Sequence, residues 1–228
     1  LFAAVLTFLY GRDAGFERIV AEEARLVAFA DGSEAKLAPG AVMMVPREGS
    51  DEDPRQARLL AGSALFDIER DPTQPFEVQT PNADVTVLGT TFGVDVEGEG
   101  TATHVVLASG RVRVAPREQA DAAVELEPGQ ATRVAGLDAP EAPSPTDVAT
   151  DLAWTGTVYA RELSAAEVAR RISAATGRPV TVDAGLAGES VSGTFHTDEG
   201  AQPALRTLAL ALDADLLRTP NDGFRLAR

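Results

Sequence analysis

The residues of this chain that could do chemistry are few and scattered. Ser33 and Lys36 have the Ser-x-x-Lys spacing in which a lysine amine takes the serine proton and frees a nucleophile. That motif requires a helix start and companion motifs. Here it follows Asp31-Gly32, a hairpin-grade turn that by itself accounts for Asp31, Gly32 and Ser33, and no companion is present. His104 and His196 are the only histidines, and both fall in segments with strand character. Two imidazoles are too few for a structural zinc site, so a place on the solvent face of a strand accounts for both. Gly98-Glu99-Gly100 lacks the rest of a phosphate-cradling fingerprint. The chain has no cysteine, and Lys36 is its single lysine. Disulfides, thiolate sites and cysteine nucleophiles are thereby excluded, and little is left for Schiff-base chemistry. With 35 acidic residues chance carboxylate pairs are inevitable, and 5% aromatic content leaves no sugar-stacking platform. The expectation is a protein that is not an enzyme, with no cofactor and no metal.

Composition narrows the partners. The formal net charge of −15 has the wrong sign for a phosphate backbone or an anionic lipid surface, so nucleic acid is not expected. A hydrophobic content of 44% with few aromatics predicts a globular core of Val, Leu, Ala and Ile, and 228 residues suffice for two such cores. Leu1 to Tyr10 is an apolar run with Thr7 as its one polar side chain before Tyr10. As a helix it spans about 15 Å, half a bilayer core, so residues 1–12 read as the end of a transmembrane helix with Tyr10 at the interface, the alternatives being a short buried helix or a trimmed signal-peptide core.

The elements that would position any site fall into two textures. From Arg25 to Val134, short alternating apolar segments recur about every ten residues, from Leu26–Phe29 to Thr132–Val134, with no helical period sustained for three turns. Val112 and Val114 alternate with Arg111 and Arg113, which gives a strand with one wet face. Asp31-Gly32 and Ser109-Gly110 are expected to close local hairpins, and the charged stretch Arg47 to Arg55 to loop out over the surface. This predicts a mainly β domain over 16–136, sandwich- or solenoid-like. Residues 137–151, with Pro140, Pro143 and Pro145, form a Pro-rich linker.

Residues 152–228 predict a small α+β module of two βαβ-like halves. A strand around Thr155 to Ala160 precedes Ser164-Ala-Ala-Glu167, a capping box. The helix it starts repeats Val168, Ala169, Ile172 and Ala175 on one face and stops at Gly177 and Pro179. Strands over Pro179–Val182 and Val191–His196 follow, then a helix from about Gln202 to Leu212 and a hairpin around Asn221-Asp222-Gly223. Trp154, the one tryptophan, is expected to pack at the start of this module.

Six short motifs carry a resemblance. Asp31-Gly32-Ser33 with Leu37, Gly62-Ser63-Ala64 with Phe66, Pro75-Phe76-Glu77-Val78, Leu88-Gly89-Thr90-Thr91-Phe92-Gly93-Val94, Gly110-Arg111-Val112 and Pro128-Gly129-Gln130 resemble, in order, the signposts of the FecR domain. Trp154-Thr155-Gly156 and Val191-Ser192-Gly193-Thr194-Phe195 resemble the small module found in secretins and at the N-terminus of TonB-dependent receptors. The resemblance implies a single-pass inner-membrane regulator of an extracytoplasmic-function sigma factor, with this portion in the periplasm. Its implied partners are the N-terminal signalling domain of a TonB-dependent outer-membrane transducer and a sigma factor bound through a cytoplasmic segment outside this sequence. The alternative is a cell-envelope structural or carbohydrate-binding protein that reuses the same β domain. For the regulator, the expected partner-binding residues lie on an open strand edge of the module: Thr155, Thr157, Val158 and Tyr159, or Val191, Thr194, Phe195 and His196.

Overall fold

The computed structural model describes residues 15–198 and 200–228. The expected end of a membrane helix at 1–12 lies outside them, and among the described residues no helix is long and apolar enough to cross a membrane. The described residues divide into two compact units that part between Thr146 and Asp147.

Apart from two 3-10 turns, Gly98–Gly100 and Ala120–Ala122, the regular elements of the first unit are strands: β1 (Phe16–Val20), β2 (Arg25–Ala28), β3 (Glu34–Leu37), β4 (Val42–Pro46), β5 (Gln56–Ile68), β6 (Phe76–Gln79), β7 (Ala83–Val87), β8 (Thr90–Glu97), β9 (Ala102–Ser109), β10 (Val112–Pro116), β11 (Val124–Leu126), β12 (Gln130–Ala135) and β13 (Ser144–Pro145). They form one sheet ordered β11-β10-β7-β6-β5-β8-β9-β12-β13, onto which β1 to β4 branch. The mainly β architecture expected from the alternation is what the fold shows, as a sheet curled into a half-barrel.

The curl comes from β5, which the alternation divides into two strands and the structure makes one. Its first half pairs with β4 and, in parallel, with β6, whereas its second half pairs with β3 and β8. Between the halves Gly62 has φ 73°, and a Cβ there would stand 2.9 Å from the Ala41 Cα. Only glycine lets β5 bend this close to the neighbouring chain. Ser109-Gly110 is likewise a corner and no hairpin. β9 pairs with β8 and β12, whereas β10 pairs with β7 and β11, so the chain changes arms at Gly110. Leu88-Gly89 makes the same change between β7 and β8. The two corners stack, since a Cβ on Gly110 would lie 2.7 Å from the Gly89 carbonyl oxygen, and Thr90 Oγ1 donates to the Arg111 carbonyl at 3.0 Å. By contrast Asp31-Gly32 does close a hairpin, β2 to β3.

Both arms turn their alternate apolar residues onto one core that includes Leu37, Met43, Leu59, Phe66, Phe76, Phe92 and Leu107. β1 escapes a period-two reading because its two buried residues, Phe16 and Ile19, are three apart and point to opposite faces. Phe16 is covered by the Arg58 guanidinium, 3.8 Å from its ring centre. Of the stretch expected as a Pro-rich linker, 137–151, residues 137–146 are held to the first unit: Glu141 N donates to the Arg133 carbonyl at 2.9 Å, and β13 pairs with β12. Pro145 is tolerated there because β13 ends the sheet's strand order and needs no second partner.

The second unit holds α1 (Val148–Asp151), a 3-10 turn (Ala153–Thr155), β14 (Thr157–Ser164), α2 (Ala165–Thr176), β15 (Val180–Val182), α3 (Ala184–Ala187), β16 (Ser190–His196), α4 (Ala201–Ala211), β17 (Asp215–Arg218) and β18 (Phe224–Ala227). The strands make two small sheets, an antiparallel β14-β16 pair and a β15-β18-β17 sheet in which β15 and β18 run parallel. Ser164 caps α2 as its spacing predicts, its Oγ accepting from Glu167 N at 3.2 Å. One face of α2 and one of α4 meet in a core with Val158, Ile172, Phe195, Leu205, Leu208 and Leu226.

Candidate functional site

The β14-β16 sheet gathers nearly all the expected partner-binding residues. They form one cross-strand set, with Thr157 opposite His196, Val158 opposite Phe195, and Tyr159 opposite Thr194. Two segments read as alternative edges are thus each other's neighbours. Their side chains divide by face. Val158, Val191 and Phe195 are buried in the module's core, so they hold the sheet in place and present nothing to a partner. Thr194 and His196 are exposed, and Tyr159 is half-buried.

Thr155 is not on a strand. It is fully buried in the 3-10 turn, its hydroxyl donating to the Leu152 carbonyl at 2.6 Å. Gly156 ends that turn, and its carbonyl accepts both the amide and the hydroxyl of Thr197, at 2.6 and 2.7 Å, which fixes where β14 begins. Trp154, in the same turn, is 37% exposed. β14 is broken further on by a bulge between Ala160 and Leu163, where Glu162 has φ 52° and its amide donates to Ser192 Oγ at 2.9 Å.

An ionic cluster braces the helix that leaves this sheet. Asp147 accepts from the Ala149 amide at 3.2 Å and the Thr150 hydroxyl at 3.0 Å, capping α1, and takes Arg171 Nη1 at 3.1 Å. Glu167 accepts Arg170 Nε and Nη2 at 2.8 and 2.6 Å and Arg171 Nε at 2.7 Å. Those guanidinium hydrogen bonds pull the Glu167 carboxyl from 4.5 down to about 2. A carboxyl depressed on folding adds stability that is complete above its unfolded value and is lost as pH falls through the folded one. The stability difference between the native chain and Glu167→Gln should therefore be constant above about pH 5 and vanish towards pH 2. It should not exceed about 1 kcal/mol, because solvent screens the pair. Urea midpoints of the two proteins across that range check this, and a difference that persists at pH 2 would refute it.

The residues weighed for chemistry have structural work. Ser33 is fully buried, donates to Asp31 Oδ2 at 2.8 Å and accepts from Glu69 N at 3.0 Å. His104 stands between Asp95 and Arg133 in a cross-strand row. Among the described residues no three His, Cys, Asp or Glu come together to hold a metal ion. Sequence reasoning missed Arg55. Read as part of a surface excursion, it is 4% exposed and ion-paired with Asp31, and a single arginine at the edge of a charged run gives no sign of this.

Residues 17–113 match the family model described as FecR protein. Two crystal structures, each of a candidate anti-sigma factor from Parabacteroides distasonis ATCC 8503, share the fold with a TM-score of 0.53 at 22% and 24% identity. Each alignment covers 93% of this chain and 99% of the other. No curated protein matches the chain.

Proposed function

We propose that this chain, whose residues 17–113 match the FecR family model, is the periplasmic, signal-receiving portion of an inner-membrane regulator of an extracytoplasmic-function sigma factor. The observation that carries the reading is the FecR match in a chain whose two units together have a counterpart of the same fold in a candidate anti-sigma factor, over 99% of that chain. In this reading a single membrane helix anchors the regulator, and the sigma factor is bound on the cytoplasmic side. The second unit, like the small module of secretins and TonB-dependent receptors, receives the N-terminal signalling domain of a transducer through a strand edge. The first unit supports and relays. The protein works by binding and turns nothing over, in keeping with the structural roles of Ser33 and its neighbours.

The test is calorimetric titration of this chain with the N-terminal signalling domains of the TonB-dependent receptors from the same genome. One of them should bind saturably at micromolar Kd or tighter. No heat from any member of that panel at several hundred micromolar would refute the reading.

A further inference from the structure

We infer that the outer edge of β16, at Ser192, Thr194 and His196, is the place where the second unit takes up an extended strand of its protein partner. The inference rests on the reading of this unit as the receiver, and it selects one edge out of four.

The two small sheets leave β14, β16, β15 and β17 at their margins. β14 is interrupted by its bulge, carries Glu162 in the left-handed region, starts at a buried Thr157, and has α1 and the 3-10 turn packed against it. A bulge of this kind spoils the regular ladder an incoming strand needs. β15 is three residues long and lies under α2. β17 is four residues long and begins and ends on charges, Asp215 and Arg218, the latter held by Gln202 at 2.7 Å. Edges this short and charged are the ones that resist pairing. β16 has seven residues, Ser-Val-Ser-Gly-Thr-Phe-His, with no carboxylate, lysine or arginine among them.

The phase of the ladder shows which groups of β16 are available. The bond from Thr197 N to the Gly156 carbonyl makes that pair a bonding one, so alternation puts Val158 with Phe195 and Ala160 with Gly193 in bonding pairs. The N–H and C=O groups of Ser192, Thr194 and His196 point the other way. Among the described residues no backbone hydrogen bond outside the β14 ladder reaches them. Donors and acceptors repeating at every second residue, about 6.6–6.8 Å apart, are matched by another extended backbone. The Ser192 and Thr194 side chains on this edge are small and carry no charge, so the backbone supplies the affinity.

Thr194→Pro removes the central outward N–H and sets a ring where the incoming strand would lie. With a signalling domain that binds the native chain, Thr194→Pro should weaken binding at least tenfold, and Thr194→Ala, which keeps the backbone, should stay within about twofold. Hydrogen exchange provides a readout that does not depend on the proline variant folding. The Ser192, Thr194 and His196 amides should exchange fast in the free native chain and become protected in the complex. Protection appearing on β17 or β14 instead, with β16 unchanged, overturns this edge and leaves the receiver reading standing. Absence of binding by every signalling domain overturns both.

Discussion

Replacing Arg55 with alanine is expected to cost the first unit about 3–5 kcal/mol, the range for removing one partner of a buried ion pair. Arg55 and Asp31 are 4% and 17% exposed as side chains, and the carboxylate left behind would stay largely out of water without its counter-charge. The guanidinium also donates from Nη2 to the Glu69 carbonyl at 3.0 Å and lies 5.7 Å from the centre of the Phe76 ring. Asp31 takes the amide and hydroxyl of Ser33, and Ser33 in turn takes the Glu69 amide, while Glu77 N donates to the Arg55 carbonyl. One side chain thus joins the β2–β3 turn, both ends of β5 and the entry to β6. Arg55→Lys should recover only part of the loss, because a single ammonium cannot reproduce the planar fork. Removing Asp31 as well, in Asp31→Ala/Arg55→Ala, should be less harmful than the two single losses added together. Denaturant midpoints of the native chain, Arg55→Lys, the two single alanine variants and the double variant check this, and strict additivity would show that the pair is not coupled.

The second large effect is at the stacked rings. Phe66 and Phe92 face each other across β5 and β8, with centroids 5.3 Å apart and planes 17° from parallel. Both are fully buried, Phe66 on β5, where the branches join the sheet, and Phe92 on the neighbouring β8. Phe92→Ala removes the ring and leaves a cavity that the surrounding strands fill only in part, at an expected cost of about 3–5 kcal/mol. Phe92→Leu should restore most of it. Amide exchange on β8 and β5 should quicken in Phe92→Ala, and a loss under about 1 kcal/mol would mean that this pair is not central to the core.

These two sites differ in how far the sequence reveals them. Phe66 and Phe92 sit in plain period-two alternation, and their burial follows from it. Arg55 sits among Glu, Asp, Gly and Pro, and nothing local separates it from its solvated neighbours. Its burial depends on Asp31, 24 residues away, meeting it across the fold. The glycine corners show the same limit. Gly62, Gly89 and Gly110 are recognisable as places where the chain turns. Whether a turn closes a hairpin, as at Gly32, or carries the chain to the other arm, as at Gly110, depends on which strands lie on either side. In the second unit the capping box at Ser164 and the stop at Gly177 set the bounds of α2. The residues expected to meet a partner are legible, Thr155 aside, as two strands, and the pairing of those strands is not.

The sequence by itself determined the class of each unit, most strand positions, the bounds of α2 and the resemblance to FecR domains. Each of these is written within a few consecutive residues: alternation along a strand, a hydroxyl three residues before a carboxylate, a glycine where φ must be positive. The tertiary structure decided that β5 is one bent strand, that β5 with β6 and β15 with β18 run parallel, that Arg55 is buried, and that β14 pairs with β16 and leaves its far edge open. All four depend on contacts between residues distant in the chain. Such contacts are selected by the collective burial of apolar faces and the matching of backbone hydrogen bonds, which no short window of sequence contains.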